Sequence, residues 1–201
     1  MPRALPGAWT VERSRSSSEL SSLLLEPADA ERIEAHGRTE AAVLVPMHGW
    51  PSNPGLVFTE RRSDLSRHAG EISFPGGRRD EGEELLETAL REAEEEIGLT
   101  RDHVEIAGAL APIGTFVTSY KVHPFVGLIE EGLPFEPNPS EVESVLIASL
   151  DDLTDGYAKR RLVRRGVPIK TDTYVVGDKL IWGATARILG DLFARLGRPL
   201  R

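Results

Sequence analysis

The stretch "FPGGRRDEGEELLETALREAEEEIGL", residues 74–99, decides how the fold of this chain is interpreted. It opens with a proline and two adjacent glycines, and a run of helix-forming residues then leads to Gly98, a residue type suited to a left-handed helix cap. The apolar residues of this run recur at helical spacing. They would form one stripe: Leu86, Ala89, Leu90, Ala93 and Ile97. The pattern therefore predicts an amphipathic helix packed on a core.

The same helix gathers carboxylates near its end. Glu92, Glu95 and Glu96 stand at i, i+3 and i+4, so their side chains converge beside the apolar stripe. Like charges at this spacing cost about 0.2–0.5 kcal/mol per pair, and a helix C-terminus prefers cations. A hard divalent cation would offset the repulsion, because Mg²⁺ prefers oxygen ligands and commonly bridges carboxylates to phosphates. The alternative interpretation is a solvated acidic face.

Composition narrows the function classes. The chain has 201 residues with 40% hydrophobic content, enough for one well-buried domain. A formal net charge of -8 disfavours non-specific binding to nucleic acid or to an acidic membrane surface. The absence of cysteine excludes disulfides, thiolate metal sites and a cysteine nucleophile. No apolar run reaches the length of a membrane span and no secretory signal is recognisable, so we expect a cytoplasmic protein.

Strand and helix patterns divide the chain into an arm and a domain. Residues 1–38 are expected to form an N-terminal arm with one or two short helices ending at Gly37. Residues 39–201 are expected to form the domain. Short apolar, β-branched runs predict strands: "AAVLVPM", "GLVFTER", "EISF", "VEIAGALAPI", "KVHPFVGLIE", "EVESVLIASL", "RRLVRR" and "TDTYVV". The run "ATARILGDLFARL" predicts a closing helix, and together these elements indicate a mixed α/β layered domain.

The charged and glycine positions of the opening stretch have a fixed spacing, G-x5-E-x7-R-E-U-x-E-E-x-G-U, where U is aliphatic. In this chain the positions are Gly77, Glu83, Arg91, Glu92, Glu95, Glu96, Gly98 and Leu99, with Ala93 as a small residue at the first U. The pattern resembles the Nudix box of the Nudix hydrolases. The resemblance implies the Nudix fold, an α/β/α sandwich with a central mixed sheet, and it makes residues 39–201 a Nudix hydrolase domain.

The resemblance also implies roles. It implies hydrolysis of a diphosphate with Mg²⁺ or Mn²⁺ as cofactor. The implied metal-binding positions are Gly77, Glu83, Glu92, Glu95 and Glu96, and the catalytic candidates are Arg91, Glu92, Glu95 and Glu141. Arg91 could orient a neighbouring carboxylate by a two-pronged hydrogen bond. The base that accepts a proton from water stays open between a glutamate of the box and Glu141, which could equally be a solvated loop residue.

The segment just upstream, "LVFTERRSDLSRHAGEISFPGG", is similar to an additional signature of coenzyme A diphosphatases, roughly L-L-T-x-R-S-x-x-L-x-x-H-x-G-x-x-x-F-P-G-G. The matching positions are Thr59, Arg61, Leu65, His68, Gly70, Phe74, Pro75, Gly76 and Gly77. Phe58 and Arg62 depart from it, and Arg62 could add a phosphate contact or shift substrate preference. "LIWGATARIL" near the C-terminus also resembles this subgroup.

This second resemblance implies coenzyme A, or a derivative, as the substrate. The implied substrate-binding residues are Arg61, Arg67, His68, Gly76 and Gly77, with the two glycines in a tight loop near the phosphates. Taken singly, Arg61 also fits an exposed strand end and His68 a turn. The basic run at residues 159–165 fits either a contact to the 3'-phosphate or a solvated strand face.

Two other functions stay open. One is the same chemistry on another nucleoside diphosphate, such as ADP-ribose. The other is a non-catalytic nucleotide-binding module, which the complete set of box residues disfavours. Neither nucleic acid nor membrane is expected as a partner, and the oligomeric state, with a homodimer among the options, is not predicted.

Overall fold

The structure is a computed structural model that describes residues 17–64, 70–115, 119–164, 167–198 and 200. Residues 1–16 of the predicted N-terminal arm lie outside the described residues. So do Leu65 and His68, two positions of the coenzyme A signature, and Arg67, which was predicted to bind substrate.

The core of the domain is an eight-stranded mixed sheet. Its strands are β1 (Thr39–His48), β2 (Gly55–Arg61), β3 (Ile72–Ser73), β4 (Gly76–Arg78), β5 (Glu105–Ala109), β6 (Ile113–Gly114), β7 (Tyr120–Leu128) and β8 (Val142–Ser149). The main order is β3-β2-β1-β7-β5, with β4 on β1, β6 on β7 and β8 on β2. The central pair β1 and β7 is parallel, and the other pairs are antiparallel.

A second, antiparallel sheet follows in the order β11-β10-β9. Its strands are β9 (Tyr157–Arg164), β10 (Val167–Val176) and β11 (Lys179–Ile181). The helices are α1 (Pro27–Glu31), α2 (Leu85–Ile97), α3 (Leu150–Asp155) and α4 (Gly183–Arg195), together with a helical segment at residues 17–21 and a 3-10 turn at Arg101–His103. None of the helices in the described ranges is both long and apolar enough to cross a membrane.

Two hydrophobic clusters lie on the two faces of the large sheet. Leu44 of β1 and Val57 of β2 pack in the same cluster as the apolar face of α2. Val45 of β1 and Phe58 of β2 pack in the other cluster, with α4 and the second sheet. Adjacent residues of one strand point to opposite faces, so both faces must be covered to bury them. The predicted α/β/α sandwich with a central mixed sheet is confirmed.

Helix α2 is the predicted amphipathic helix, except that one leucine of its buried face differs from the prediction. Leu85 is buried and Leu86 only partly so, because Leu85 stands one turn before Ala89 on the inner face. Gly98 ends the helix in the left-handed conformation at φ 69°, as its position predicted. The backbone N–H groups of Gly98 and Leu99 donate back to the carbonyls of Glu94 and Ala93, which satisfies the last turn.

Two local predictions were wrong. Gly76 and Gly77 lie in strand β4 rather than in a loop, and a Cβ at Gly76 would come 2.3 Å from the carbonyl oxygen of Ala42. The two glycines thus allow β4 to approach β1. Because glycine has no side chain, this strand shows no alternation of apolar residues from which it could have been predicted. The helix expected to run to Gly37 ends at Glu31. The last strands form a separate sheet, which their local pattern did not indicate.

Tyr174→Phe is expected to raise the thermal midpoint. The Tyr174 side chain is fully buried and its hydroxyl has no hydrogen-bond partner among the described residues, so its removal relieves a desolvation cost of about 1–3 kcal/mol. The matched control is Tyr157→Phe, which loses a 2.8 Å bond to Asp172 and should lower the midpoint. Thermal unfolding by circular dichroism measures both, and a midpoint lowered in both variants would contradict the unpaired state of Tyr174.

Candidate active site

Arg91 is the centre of the carboxylate cluster on α2. Its Nε and Nη2 donate to the two oxygens of Glu83 at 2.9 and 3.2 Å, the two-pronged arrangement that its residue type predicted. Its Nη1 donates to Glu92 at 2.9 Å and to Glu95 at 3.1 Å. A fifth bond joins Nη2 to the carbonyl of Arg78 in β4 at 3.3 Å. One guanidinium thus holds three carboxylates and ties the helix to the sheet.

Glu83 has both carboxylate oxygens engaged. Besides Arg91, it accepts from the hydroxyl of Thr88 at 2.7 Å and from the backbone N–H of Asp80 at 3.2 Å. The hydrogen bond from Arg91 is the main cause that lowers the pKa of Glu83 to about 2. This geometry favours Glu83 as the residue that orients Arg91, and its assignment as a direct metal ligand stays a prediction.

Thr88 is a site residue that the sequence reasoning missed. It is fully buried on the inner side of α2, one turn before Arg91. The sequence feature that could have identified Thr88 is that it is a polar residue within the apolar stripe, three positions before Arg91.

Glu96 is the most buried carboxylate of the cluster, with 7% of its surface exposed. Its Oε2 accepts a hydrogen bond from the backbone N–H of Gly76 at 3.3 Å. Burial raises the pKa of Glu96 to about 8, and the negative charges of Glu92 and Glu141 act in the same direction. Burial also raises the pKa of Glu92, whereas Glu95 lies at the edge with 57% of its side chain exposed.

The bare backbone of β4 lets these carboxylates lie on the sheet. A Cβ at Gly77 would fall 2.4 Å from the carboxyl carbon of Glu92. Glycine at this position is therefore a requirement of contact with α2 and not only of backbone conformation.

The residues present fit a hard divalent cation, although no three acidic or imidazole groups within the described ranges converge into a ready-made metal site. The donors are carboxylate oxygens, the ligands that Mg²⁺ and Mn²⁺ prefer. Glu92 and Glu96 are held away from water, and that burial is the main cause of their raised pKa values. A bound cation would offset the cost of burying these two negative charges. Glu92, Glu95 and Glu96 could hold it, and this assignment, like ligation by Glu83 or the backbone of Gly77, stays a prediction.

The structure brings Glu141 and Arg61 to the same cluster. Arg61 Nη1 lies 3.6 Å from Glu141 Oε2, and both side chains are partly exposed. The loop before β8 is anchored to the helix, because the N–H of Asn138 donates to the carbonyl of Glu96 at 2.8 Å. Glu141 therefore stands beside the box although it lies 45 positions after Glu96 in the chain.

Arg62 serves this loop instead of facing the phosphates. Its Nε donates to Asp64 at 2.8 Å and its Nη1 to the carbonyl of Pro139. Its backbone N–H donates to the carbonyl of Glu141 at 3.0 Å. The guanidinium is thus committed, and the interpretation of Arg62 as an added phosphate contact is not supported by the geometry.

The sandwich fold and the Arg91-centred carboxylate cluster define the Nudix class of hydrolase domain. A model of the NUDIX domain matches residues 39–166. The chain belongs to the Nudix family. Its curated relatives are named Nudix hydrolases.

Curated relatives and solved structures agree with this assignment. The chain is 36% identical over 171 residues to a protein of Pectobacterium atrosepticum named uncharacterized Nudix hydrolase NudL, covering 82% of this chain and 86% of the relative. The protein of the same name from Photorhabdus laumondii is 37% identical over 169 residues, covering 83% and 89%. A MutT/nudix family protein from Enterococcus faecalis matches with a TM-score of 0.56 at 14% identity, covering 82% of this chain and 64% of that one. The last likeness shows the fold alone.

Glu96→Gln is expected to stabilise the metal-free protein at alkaline pH. Because the pKa of Glu96 rises from 4.5 to about 8 on folding, its contribution to the free energy of unfolding is largest below pH 4.5 and falls as the pH approaches 8. Glutamine keeps the hydrogen bond from the N–H of Gly76 but does not ionise, so the free energy of unfolding of the variant should not fall over this pH range. Thermal unfolding in chelator above about pH 8 should show a midpoint higher by about 2–4 °C for each kcal/mol recovered.

Near pH 4.5 the two proteins should have similar midpoints, because the carboxyl is then largely protonated in the folded state. Added Mg²⁺ should raise the midpoint of the wild type more than that of the variant. A variant less stable than the wild type at alkaline pH would contradict the desolvation argument.

Gly77→Ala is expected to lower metal-dependent turnover by at least about tenfold with the fold retained, because displacement of a reacting group by about 1 Å can cost more than this. The new methyl group would meet the carboxyl of Glu92, the movable end of a side chain, so the helix stays and the carboxylate shifts. Steady-state kinetics and circular dichroism measure the two effects. The control is Gly190→Ala, because a Cβ at that position meets nothing within 4 Å. Wild-type turnover in Gly77→Ala would refute the requirement for close contact between residue 77 and Glu92.

Proposed function

We propose that this chain hydrolyses the diphosphate bond of coenzyme A, or of a coenzyme A derivative, to 4'-phosphopantetheine and adenosine 3',5'-bisphosphate. The observation that supports this substrate is the segment 56–77, which resembles the coenzyme A diphosphatase signature. Its described residues form β2, β3 and the start of β4, and they end against Glu92 and Glu96. The segment thus borders the carboxylate cluster.

The reaction adds water across a P–O–P bridge. The water oxygen bonds to one phosphorus, the bridging oxygen leaves with the other, and a base accepts the proton released by the water. A bound Mg²⁺ or Mn²⁺ would supply Lewis acidity and neutralise charge on the diphosphate. Arg91 holds Glu92 and Glu95 in place.

Glu141 is our candidate for the base. It lies next to the box in space, it is half exposed and so reachable by water, and its partner Arg61 faces it at 3.6 Å. Arg61 could exchange this contact for a phosphate oxygen when substrate binds, which would free the carboxylate to accept a proton. A glutamate of the box is the alternative base.

Two other functions compete with this proposal. Cleavage of another nucleoside diphosphate, such as ADP-ribose, uses the same carboxylates and differs only in the groups that contact the rest of the substrate. Ligand binding without catalysis would not need the carboxylates, and the chain retains every one of them together with Arg91. Retention of the whole set favours catalysis.

Product analysis tests the proposal. The protein is incubated with Mg²⁺ or Mn²⁺ and a mixture of coenzyme A, 3'-dephospho-coenzyme A, ADP-ribose and NADH, and products are identified by chromatography with mass spectrometry. We expect metal-dependent release of adenosine 3',5'-bisphosphate ahead of every other product. Glu96→Gln should lose most turnover, and Glu94→Gln, an exposed neighbour on the same helix, should keep it. Faster cleavage of ADP-ribose or NADH would refute coenzyme A as substrate, and no cleavage at all would favour the binding module.

A further inference from the structure

The paired strands β9 and β10 carry, at their adjoining ends, residues 159–164 and 167–170, which differ in charge from the rest of the chain; residues 165 and 166 between them lie outside the described residues. We call residues 159–170 the basic hairpin. Its sequence "KRRLVRRGVPIK" has six cationic residues, no acidic residue and no neutral polar residue, within a chain whose net charge is -8. The remaining positions are apolar or glycine. None of these residues is used by the site around Arg91.

The cations of the basic hairpin that the structure describes face solvent. Lys159, Arg160, Arg161 and Lys170 are exposed, and none of them has a salt bridge to a carboxylate in the described part of the chain. Arg161 lies directly opposite Lys170 in the pairing of β9 with β10. Like charges in that position destabilise a hairpin. Lys159 lies opposite the acidic Asp172 in the same pairing, so the pair that the folding of the domain does not account for is Arg161 with Lys170.

The apolar residues of the hairpin are also incompletely buried. Val163 is 74% exposed, the highest value among the large apolar side chains that the structure describes as exposed, and it lies opposite exposed Pro168. Leu162 and Ile169 form the next pair and are partly exposed. The two pairs lie on opposite faces of the hairpin, and Val163 shares its face with Arg161 and Lys170. An exposed apolar side chain flanked by cations suits the boundary between lipid headgroups and acyl chains, where the cations meet phosphates and the apolar group enters the layer.

We propose that the basic hairpin docks this protein on an anionic lipid surface. Each lysine or arginine near such a surface strengthens binding by about fivefold. The acidic body does not cancel this attraction, because six strand residues from Lys159 span about 20 Å and charges are screened over about 8 Å at physiological salt. The whole-chain charge, which disfavoured a membrane partner, does not describe this element. Nucleic acid is a poorer fit, because the segment has no aromatic side chain on which bases could stack.

Co-sedimentation of the full chain with vesicles tests this proposal. Vesicles of phosphatidylcholine alone are compared with vesicles in which roughly a third of the lipid is phosphatidylglycerol. We expect binding to the anionic vesicles only, and loss of that binding at about 1 M salt. Arg160→Gln/Arg161→Gln should weaken it by about 25-fold, at about fivefold per cation. Val163→Ser should weaken it without changing its dependence on salt.

The matched control is Arg32→Gln/Arg101→Gln, which removes the same charge from two other exposed positions and should bind as the wild type does. Thermal unfolding checks that all variants are folded. Absence of binding to anionic vesicles, an equal loss in the control, or preferential binding to single-stranded nucleic acid would overturn the proposal. A concentration-dependent dimer that the hairpin variants abolish would also overturn it and would assign the hairpin to a second copy of the chain. None of these measurements depends on hydrolysis of coenzyme A, so a failure of this proposal can be distinguished from a failure of the proposed function.

Discussion

The contact between helix α2 and the two glycines that open strand β4 is the interaction on which the rest of the structure depends. A Cβ on Gly77 would fall 2.4 Å from the carboxyl carbon of Glu92, and Glu96 accepts a hydrogen bond from the N–H of Gly76. The helix can approach so closely because its apolar face packs on β1 and β7. Packing, rather than local helix stability, therefore places the carboxylates.

Arg91 balances the charge that this contact concentrates. It bonds three carboxylates at once, so the repulsion among Glu83, Glu92 and Glu95 is offset within the helix and its preceding loop. Glu96 is left outside this arrangement, buried and with a raised pKa. A buried carboxylate without a cation is costly, and such unrelieved costs are concentrated at functional sites. The architecture thus holds one acidic group ready for a positive partner.

The two sheets separate two kinds of surface. The large sheet has the acidic site on its α2 face, and the second sheet, whose strands β9 and β10 carry the basic hairpin, packs with α4 in the cluster on the other face. Average charge is therefore a poor guide to partners of this protein, because the two regions carry opposite sign and are kept apart by the sandwich. The same separation allows the hairpin and the site to be altered independently.

Sequence alone determined the features that depend on local spacing. The spacing of Glu92, Glu95 and Glu96 follows from helical geometry, the cap follows from Gly98, and the two-pronged bond of Arg91 follows from the shape of its guanidinium. Only the tertiary structure decided the features that join distant segments. It brought Glu141 and Arg61 to the box, committed Arg62 to Pro139, and made Gly76 and Gly77 a strand. Those arrangements depend on pairings across tens of residues, which no local periodicity encodes.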